Sequence, residues 1–220
     1  MIDPLSGEDV NPRPDDDSLT ARLPLLSPGT LDDAQRVVYE AVVGGPRGDL
    51  PAPFRFIDDE GRLLGPFNGM LYSPAVGLPL QELGAALRFR TSFTKREREI
   101  ATLVVAAHWR SDFEWYAHER LGRRAGLSQR ETDLLRDGRA PLLADARERV
   151  VYEAARQLVA DHDLGDALFT EATATLGRRA VVELVALVGY YAALALHLRA
   201  LRIGVPDGEP APRWDDRGDG

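Results

Sequence analysis

Glu114 and His118 lie four residues apart in Ser111-Asp-Phe-Glu-Trp-Tyr-Ala-His118, so on a helix they share one face. An ionised carboxylate beside an imidazole raises the ring's pKa and fixes its orientation. That is the usual construction of a general acid or base, and it supplies about 10²–10⁴ in rate. Glu99 stands one turn before Leu103, at the border of an apolar helical face. Partial desolvation there is expected to push its pKa up, so that it holds or relays a proton near neutral pH. Ser111, Trp115, His108 and Arg110 are weaker candidates, as substrate contacts around the same turn. Each residue also has a plainer use. Glu114 falls at N3 of a Ser-x-x-Glu capping box with Ser111 at N-cap, Glu99 is one of several charges at a helix start, and a lone helical His is often solvated. Ser111 has no Gly-x-Ser-x-Gly context that would make it a nucleophile. Glu183 sits inside an otherwise apolar stretch and needs a partner if buried, with Tyr190, Tyr191 and His197 as candidates.

The composition removes several other chemistries. The 220 residues contain no cysteine, which excludes disulfides, thiolate nucleophiles, Fe–S clusters and Cys-ligated zinc. His108, His118, His162 and His197 show no metal-ligand spacing, so no metal site is expected. No glycine-rich loop opens a helix in the manner of a nucleotide site. The net charge of -8 gives no electrostatic footprint for nucleic acid. The acidic start, MIDPLSGEDVNPRPDDD, has no apolar core of a secretory signal, and the expected compartment is the cytoplasm.

Helical periodicity runs through the chain and no strand pattern survives, which predicts an all-α fold. Residues 1–28 are rich in Pro, Asp, Ser and Gly and read as a mobile or extended arm, residues 29–206 as a single helical domain, and 207–220 as a loose tail. Thr30-Leu-Asp-Asp33 opens a helix to about Val43. Residues 46–78, with many Pro and Gly, read as a long irregular connection that packs down through Phe54, Phe56, Phe67, Met70, Leu71 and Tyr72. A short helix is expected from Pro79 to Arg88. Thr94-Lys-Arg-Glu97, Ser111-Asp-Phe-Glu114 and Ser128-Gln-Arg-Glu131 are three capping boxes that start successive helices. Further helices are expected at about 144–160, 165–176 and 178–204. The stretch Ala180 to Leu196 is apolar almost all round but carries Glu183 and falls short of the ~20 apolar residues of a membrane span, so it is expected to be buried in the core and against a second subunit.

Two segments resemble the carboxymuconolactone decarboxylase family. Phe93 to Ser128, FTKREREIATLVVAAHWRSDFEWYAHERLGRRAGLS, is similar to that family's Glu-bearing helix followed by a Cys-x-x-Glu-Trp-x-x-His-like stretch. Val181 to Val205, with Gly-Tyr-Tyr, is similar to its closing apolar helix. The resemblance covers about residues 65–206 and implies an alkylhydroperoxidase D-like helical fold assembled as a homo-oligomer. In the peroxidase branch of that superfamily, two cysteines work with a His and a Glu; the matching positions here are Ser111, Glu114, His118 and Glu99. A serine cannot cycle through a disulfide, so thiol peroxidase chemistry is excluded. The decarboxylase branch keeps the Glu and the His, as at Glu114 and His118, and commonly carries a Cys where this chain has Ser111.

The resemblance therefore implies a cofactor-free lyase acting on a small unsaturated carboxylic acid or lactone. His118 is expected as general acid/base, Glu114 as the group that orients it, and Glu99 as the proton holder. Partners are expected to be a small-molecule substrate and further copies of the chain, with no nucleic acid and no membrane. The alternatives are another proton transfer on the same scaffold (dehydration, isomerisation or ring closure) and a non-catalytic binding module. A buried Glu99, Glu114 and His118 cluster facing a pocket favours an enzyme, and the same residues splayed into solvent favour the module.

Overall fold

Side-chain caps set four of the helix starts. The hydroxyls of Thr94 and Ser128 accept from the backbone N–H of Glu97 and Glu131, whose carboxylates accept from the cap residues' own N–H groups. Asp32 forms the same reciprocal pair with Gln35, and the Asp145 carboxylate accepts from the N–H groups of Arg147 and Glu148. Each satisfies backbone donors that the first helical turn leaves without partners. The computed structural model describes residues 21–45 and 53–214. Among these, α1 spans Asp33–Val43, α2 Pro66–Leu71, α3 Pro74–Phe89, α4 Lys95–Trp109, α5 Asp112–Arg124, α6 Gln129–Arg136, α7 Ala146–Asp161, α8 Asp166–Leu176 and α9 Arg178–Ala200. The only β pairing among the described residues is an isolated bridge between Ile57 and Leu63.

The structure differs from expectation in the connection and at two helix ends. Part of the stretch expected to be irregular is helical, because Pro66 and Pro74 each sit at the start of a helix, where the missing N–H costs nothing. Pro79, expected as a helix start, lies inside α3. The last helix stops at Ala200, short of the expected Gly204. Arg202 takes the left-handed conformation at φ 53°, and the N–H of Ile203 returns to the carbonyl of Leu198.

At the centre lies α4, packed against α5, α7 and α9. From Ile100 to Ala107 every residue of α4 is buried, which the run Ile-Ala-Thr-Leu-Val-Val-Ala-Ala allows because it has no charged side chain to keep in water. Burial of α9 is one-sided. Leu184, Leu187, Tyr190, Tyr191 and Leu194 face the core, while Val182, Val185 and Leu196 remain exposed. By length and composition alone α9 could cross a membrane, and half of its apolar window is buried inside the protein. Glu183 is not paired with the expected tyrosines or histidine. It accepts from the N–H and hydroxyl of Ser92 and pairs with Arg179 at 2.7 Å, because its side chain leaves α9 towards the α3–α4 turn.

Polar bridges fasten the helices around α4. Arg96 pairs with Glu131 on α6 and with Glu148 on α7 at 2.7 Å, and donates to the carbonyl of Gly126. Replacing Arg96 with Met strands two half-buried carboxylates. We expect a loss of about 2 kcal/mol in urea unfolding, the scale of hydrogen bonds to charged partners.

The ends of the described chain are tied down. The N–H of Arg22 donates to the carbonyl of Leu201, and Asn68 holds both the N–H of Leu26 and the carbonyl of Pro24. Residues 207–214, expected loose, are anchored. Glu209 pairs with Arg120 at 3.0 Å, and the indole of Trp214 donates to Asp112 and packs edge-on against Trp115. Residues 1–20 of the expected arm, residues 46–52 of the connection and residues 215–220 of the tail lie outside the described residues.

Candidate active site

The second capping box fails, and its failure shapes the site. At the end of α4, Arg110 adopts a left-handed conformation at φ 48°, and the N–H of Ser111 is taken by the carbonyl of Ala106 at 2.9 Å. Glu114 therefore has no N-cap N–H to reach back to, and Ser111 caps α5 without a side-chain hydrogen bond. Its box partner gone, Glu114 turns into the protein. It is 3% exposed, and neither carboxyl oxygen has a hydrogen-bond partner. Burial pushes its pKa well above the usual carboxylate range; the nearby Ser111 hydroxyl opposes part of that rise without reaching hydrogen-bond geometry. Burial thus favours the neutral, protonated form of the Glu114 carboxyl.

His118, one turn on, pairs with Glu99 across the α4–α5 interface and makes no hydrogen bond to Glu114. Its Nδ1 lies 2.7 Å from Glu99 Oε2, and both side chains are almost fully buried. Gly122, the next residue on the same face of α5, lies beside the pair: a Cβ there would meet the Glu99 Cβ at 3.6 Å, an ordinary contact, and would crowd the movable Leu127 Cδ1 at 2.7 Å. The Glu99 carboxyl is not raised as expected. Burial acts to raise it, but the charge and hydrogen bond of His118, with Arg88 and Arg98 beyond, hold it below its ordinary value. For His118 burial dominates and lowers the pKa, against the opposing pull of Glu99. Near neutral pH the pair is thus an ionised Glu99 accepting from Nδ1–H of a neutral imidazole, which leaves Nε2 as a lone pair able to take a proton.

The contacts differ from expectation: Glu99, not Glu114, meets His118, and Glu114 is the carboxyl whose protonated form burial favours. Two glutamates whose environments push their pKa values apart, Glu114 upward and Glu99 downward, thus stand near one imidazole.

Glu99, Glu114 and His118 all line one cavity of about 510 Å³. Its volume is that of a small-molecule site. Aromatic rings form much of the wall. Phe113 and Ala117 come from α5, Tyr190 and Tyr191 from α9, and Phe54, Phe56 and Phe67 from the connection and α2. Tyr191 meets the His118 ring edge-on at 4.8 Å. Cations from α3, α4 and α5 also line it: Arg88, Lys95, Arg98 and Arg124. Among the described residues no group of three or more His, Asp or Glu side chains could hold a metal ion.

The four weaker candidates lie elsewhere. His108 is exposed and Arg110 half-buried at the end of α4, outside the cavity lining. Trp115 faces away from the cavity into the core against Trp214, because it is out of phase with Glu114 and His118 on α5. Ser111 is buried behind Glu114. Sequence reasoning missed the cations of the lining and the wall supplied by Phe54, Phe56 and Phe67. Arg98 was findable, since it adjoins Glu99.

Gly65, just before α2, has φ 62°, and a Cβ there would run into the ring of Phe113. Gly65→Ala is expected to move Phe113 and narrow the cavity, at a cost of about 1–3 kcal/mol from strain and overpacking. Thermal unfolding reads the stability loss, and a crystal structure of the variant reads the ring displacement.

Residues 74–157 match the model of the Carboxymuconolactone decarboxylase family. The interval contains Glu99, Glu114 and His118. Three solved structures share the fold. A peroxidase-related protein from Silicibacter sp. TM1040 has 16% identity and a TM-score of 0.68, over 89% of this chain and 96% of that one. An alkylhydroperoxidase AhpD core, peroxidase-related protein from Ralstonia eutropha JMP134 has 16% identity and a TM-score of 0.66, over 85% and 93%. A cysteine-to-alanine variant of the debrominase Bmp8, in complex with 2,3,4-tribromopyrrole, has 12% identity and a TM-score of 0.61, over 86% and 95%. No curated protein matches the chain.

Proposed function

With residues 74–157 a carboxymuconolactone decarboxylase family segment on an alkylhydroperoxidase D-like fold, we propose that the protein is a cofactor-free proton-transfer enzyme. It acts as a lyase on a small unsaturated carboxylic acid or lactone. The observation that carries this reading is the buried cluster on the cavity wall: Glu114, its carboxyl oxygens without hydrogen-bond partners, one turn from a His118 that Glu99 holds at Nδ1. A binding module has no need to bury two carboxylates and an imidazole at such desolvation cost. A debrominase on a similar fold also supports catalytic over scaffolding use.

In the decarboxylation, the bond from the conjugated carbon to its carboxylate breaks. Its electron pair moves into the unsaturated lactone carbonyl as CO₂ leaves. Glu114 then delivers its proton to the resulting enolate carbon. A proton taken up from solvent at His118 Nε2 and passed on to the Glu114 carboxylate restores the acid and returns the imidazole to its neutral form. The same two groups also serve an isomerisation, with His118 removing a proton from an acidified carbon and Glu114 returning one elsewhere. A second copy of the chain is proposed to cover the exposed apolar side of α9, and the working compartment to be the cytoplasm.

The test is loss of absorbance of carboxymuconolactone on incubation with the purified protein, with products identified by NMR. Turnover supports the lyase. A product of unchanged mass points to isomerisation, and no change in either substrate or its analogues removes the family's own reaction.

A further inference from the structure

The cavity wall carries an excess of positive charge. Its lining holds four cations, Arg88, Lys95, Arg98 and Arg124, against two glutamates, Glu99 and Glu114. Glu99 is already engaged by His118. Arg98 is the lining cation with a buried nitrogen left over: its side chain is 11% exposed, its Nε is buried without a hydrogen bond, and its ion-pair contact with Glu99 Oε1, at 3.6 Å, is too long for one. Arg88, on the neighbouring helix α3, makes no ion pair among the described residues and rests over the ring of Phe89. The fields of both arginines reach Glu99 and His118, so they stand near the reacting groups. A buried guanidinium nitrogen without a partner is expensive unless something fills the gap.

We infer that Arg98, together with Arg88, is the anchor for a carboxylate that the ligand retains, and that this pair selects anionic ligands with a flat apolar body. This rests on reading the cavity as the active site. The retention follows from charge. A guanidinium stabilises a carboxylate in the ground state, whereas loss of CO₂ removes that charge, so a carboxylate held by these arginines is slowed in leaving. The anchored carboxylate fixes the register of the substrate over Glu114 and His118.

Benzoate and benzamide, equal in shape and different in charge, probe the anchor by isothermal titration calorimetry. Benzoate is expected to bind at least tenfold more tightly than benzamide. Arg98→Met and Arg88→Met are each expected to weaken benzoate tenfold or more and leave benzamide unchanged, while His118→Asn leaves benzoate binding in place. Arg98→Lys, which keeps the charge and loses the planar fork, is expected to fall between wild type and Arg98→Met. Equal binding of the two probes, no binding of benzoate, or indifference of benzoate to both arginine variants overturns the inference. Because binding is read without turnover, a failed decarboxylation assay beside intact benzoate binding removes the proposed reaction and leaves the anchor standing.

Discussion

Glu114→Met is expected to make the protein more stable and to abolish its turnover. The wild-type carboxyl is buried with two partnerless oxygens, and an apolar side chain of similar length removes that penalty. The gain is about 1–3 kcal/mol, the desolvation cost of an unsatisfied polar group. It should also depend on pH in a defined direction. The folded-state pKa of Glu114 lies above its unfolded value, so its contribution to stability is fully present below the unfolded value, ~4.3, and is lost as pH rises towards the folded one. The advantage of the variant therefore grows between acid and neutral pH. Glu99 and His118, both lowered, act the other way: their contribution is present above their unfolded values and lost as pH falls. Thermal unfolding of both proteins across that range checks the slope. A variant that is less stable at neutral pH would mean that Glu114 has a structural partner.

His118→Asn is expected to reduce turnover by about 10²–10⁴, the usual worth of a general base, with the fold intact because the amide can still donate to Glu99. Glu99→Gln serves as the companion measurement. Its amide oxygen still accepts from Nδ1–H, but the negative charge that raises the His118 pKa is gone. Since the base works in its neutral form, the acidic limb of the pH–rate profile should move to lower pH. A merely structural Glu99 would change stability and leave that limb in place. Single-turnover kinetics across pH distinguishes the two.

Much of the fold was legible in the sequence, for local reasons. Thr94 and Ser128 announce their helices because a cap and its N3 partner lie within one turn, and the apolar run of α4 marks a central helix. What was not legible depends on contacts between distant segments. Ser111 and Glu114 have the sequence of a capping box, yet the Ser111 N–H is claimed by Ala106 on the preceding helix. That one competing bond turns Glu114 from a cap into a buried acid. The pairing of His118 with Glu99, 19 residues away, in preference to Glu114, is a contact between α4 and α5, which periodicity along one helix does not encode. The aromatic wall from Phe54, Phe56 and Phe67 belongs to a segment without helical periodicity over most of its length, so its packing was foreseeable but not its target.

The separation of protonation states between Glu114 and the Glu99–His118 pair is the central claim, and infrared difference spectroscopy reads it directly. Spectra of wild type minus Glu114→Gln at neutral pH should show the carbonyl stretch of one protonated carboxylic acid, present in the wild type and absent from the variant. If the difference shows an ionised carboxylate instead, Glu114 is not the proton donor and the acid–base assignment fails.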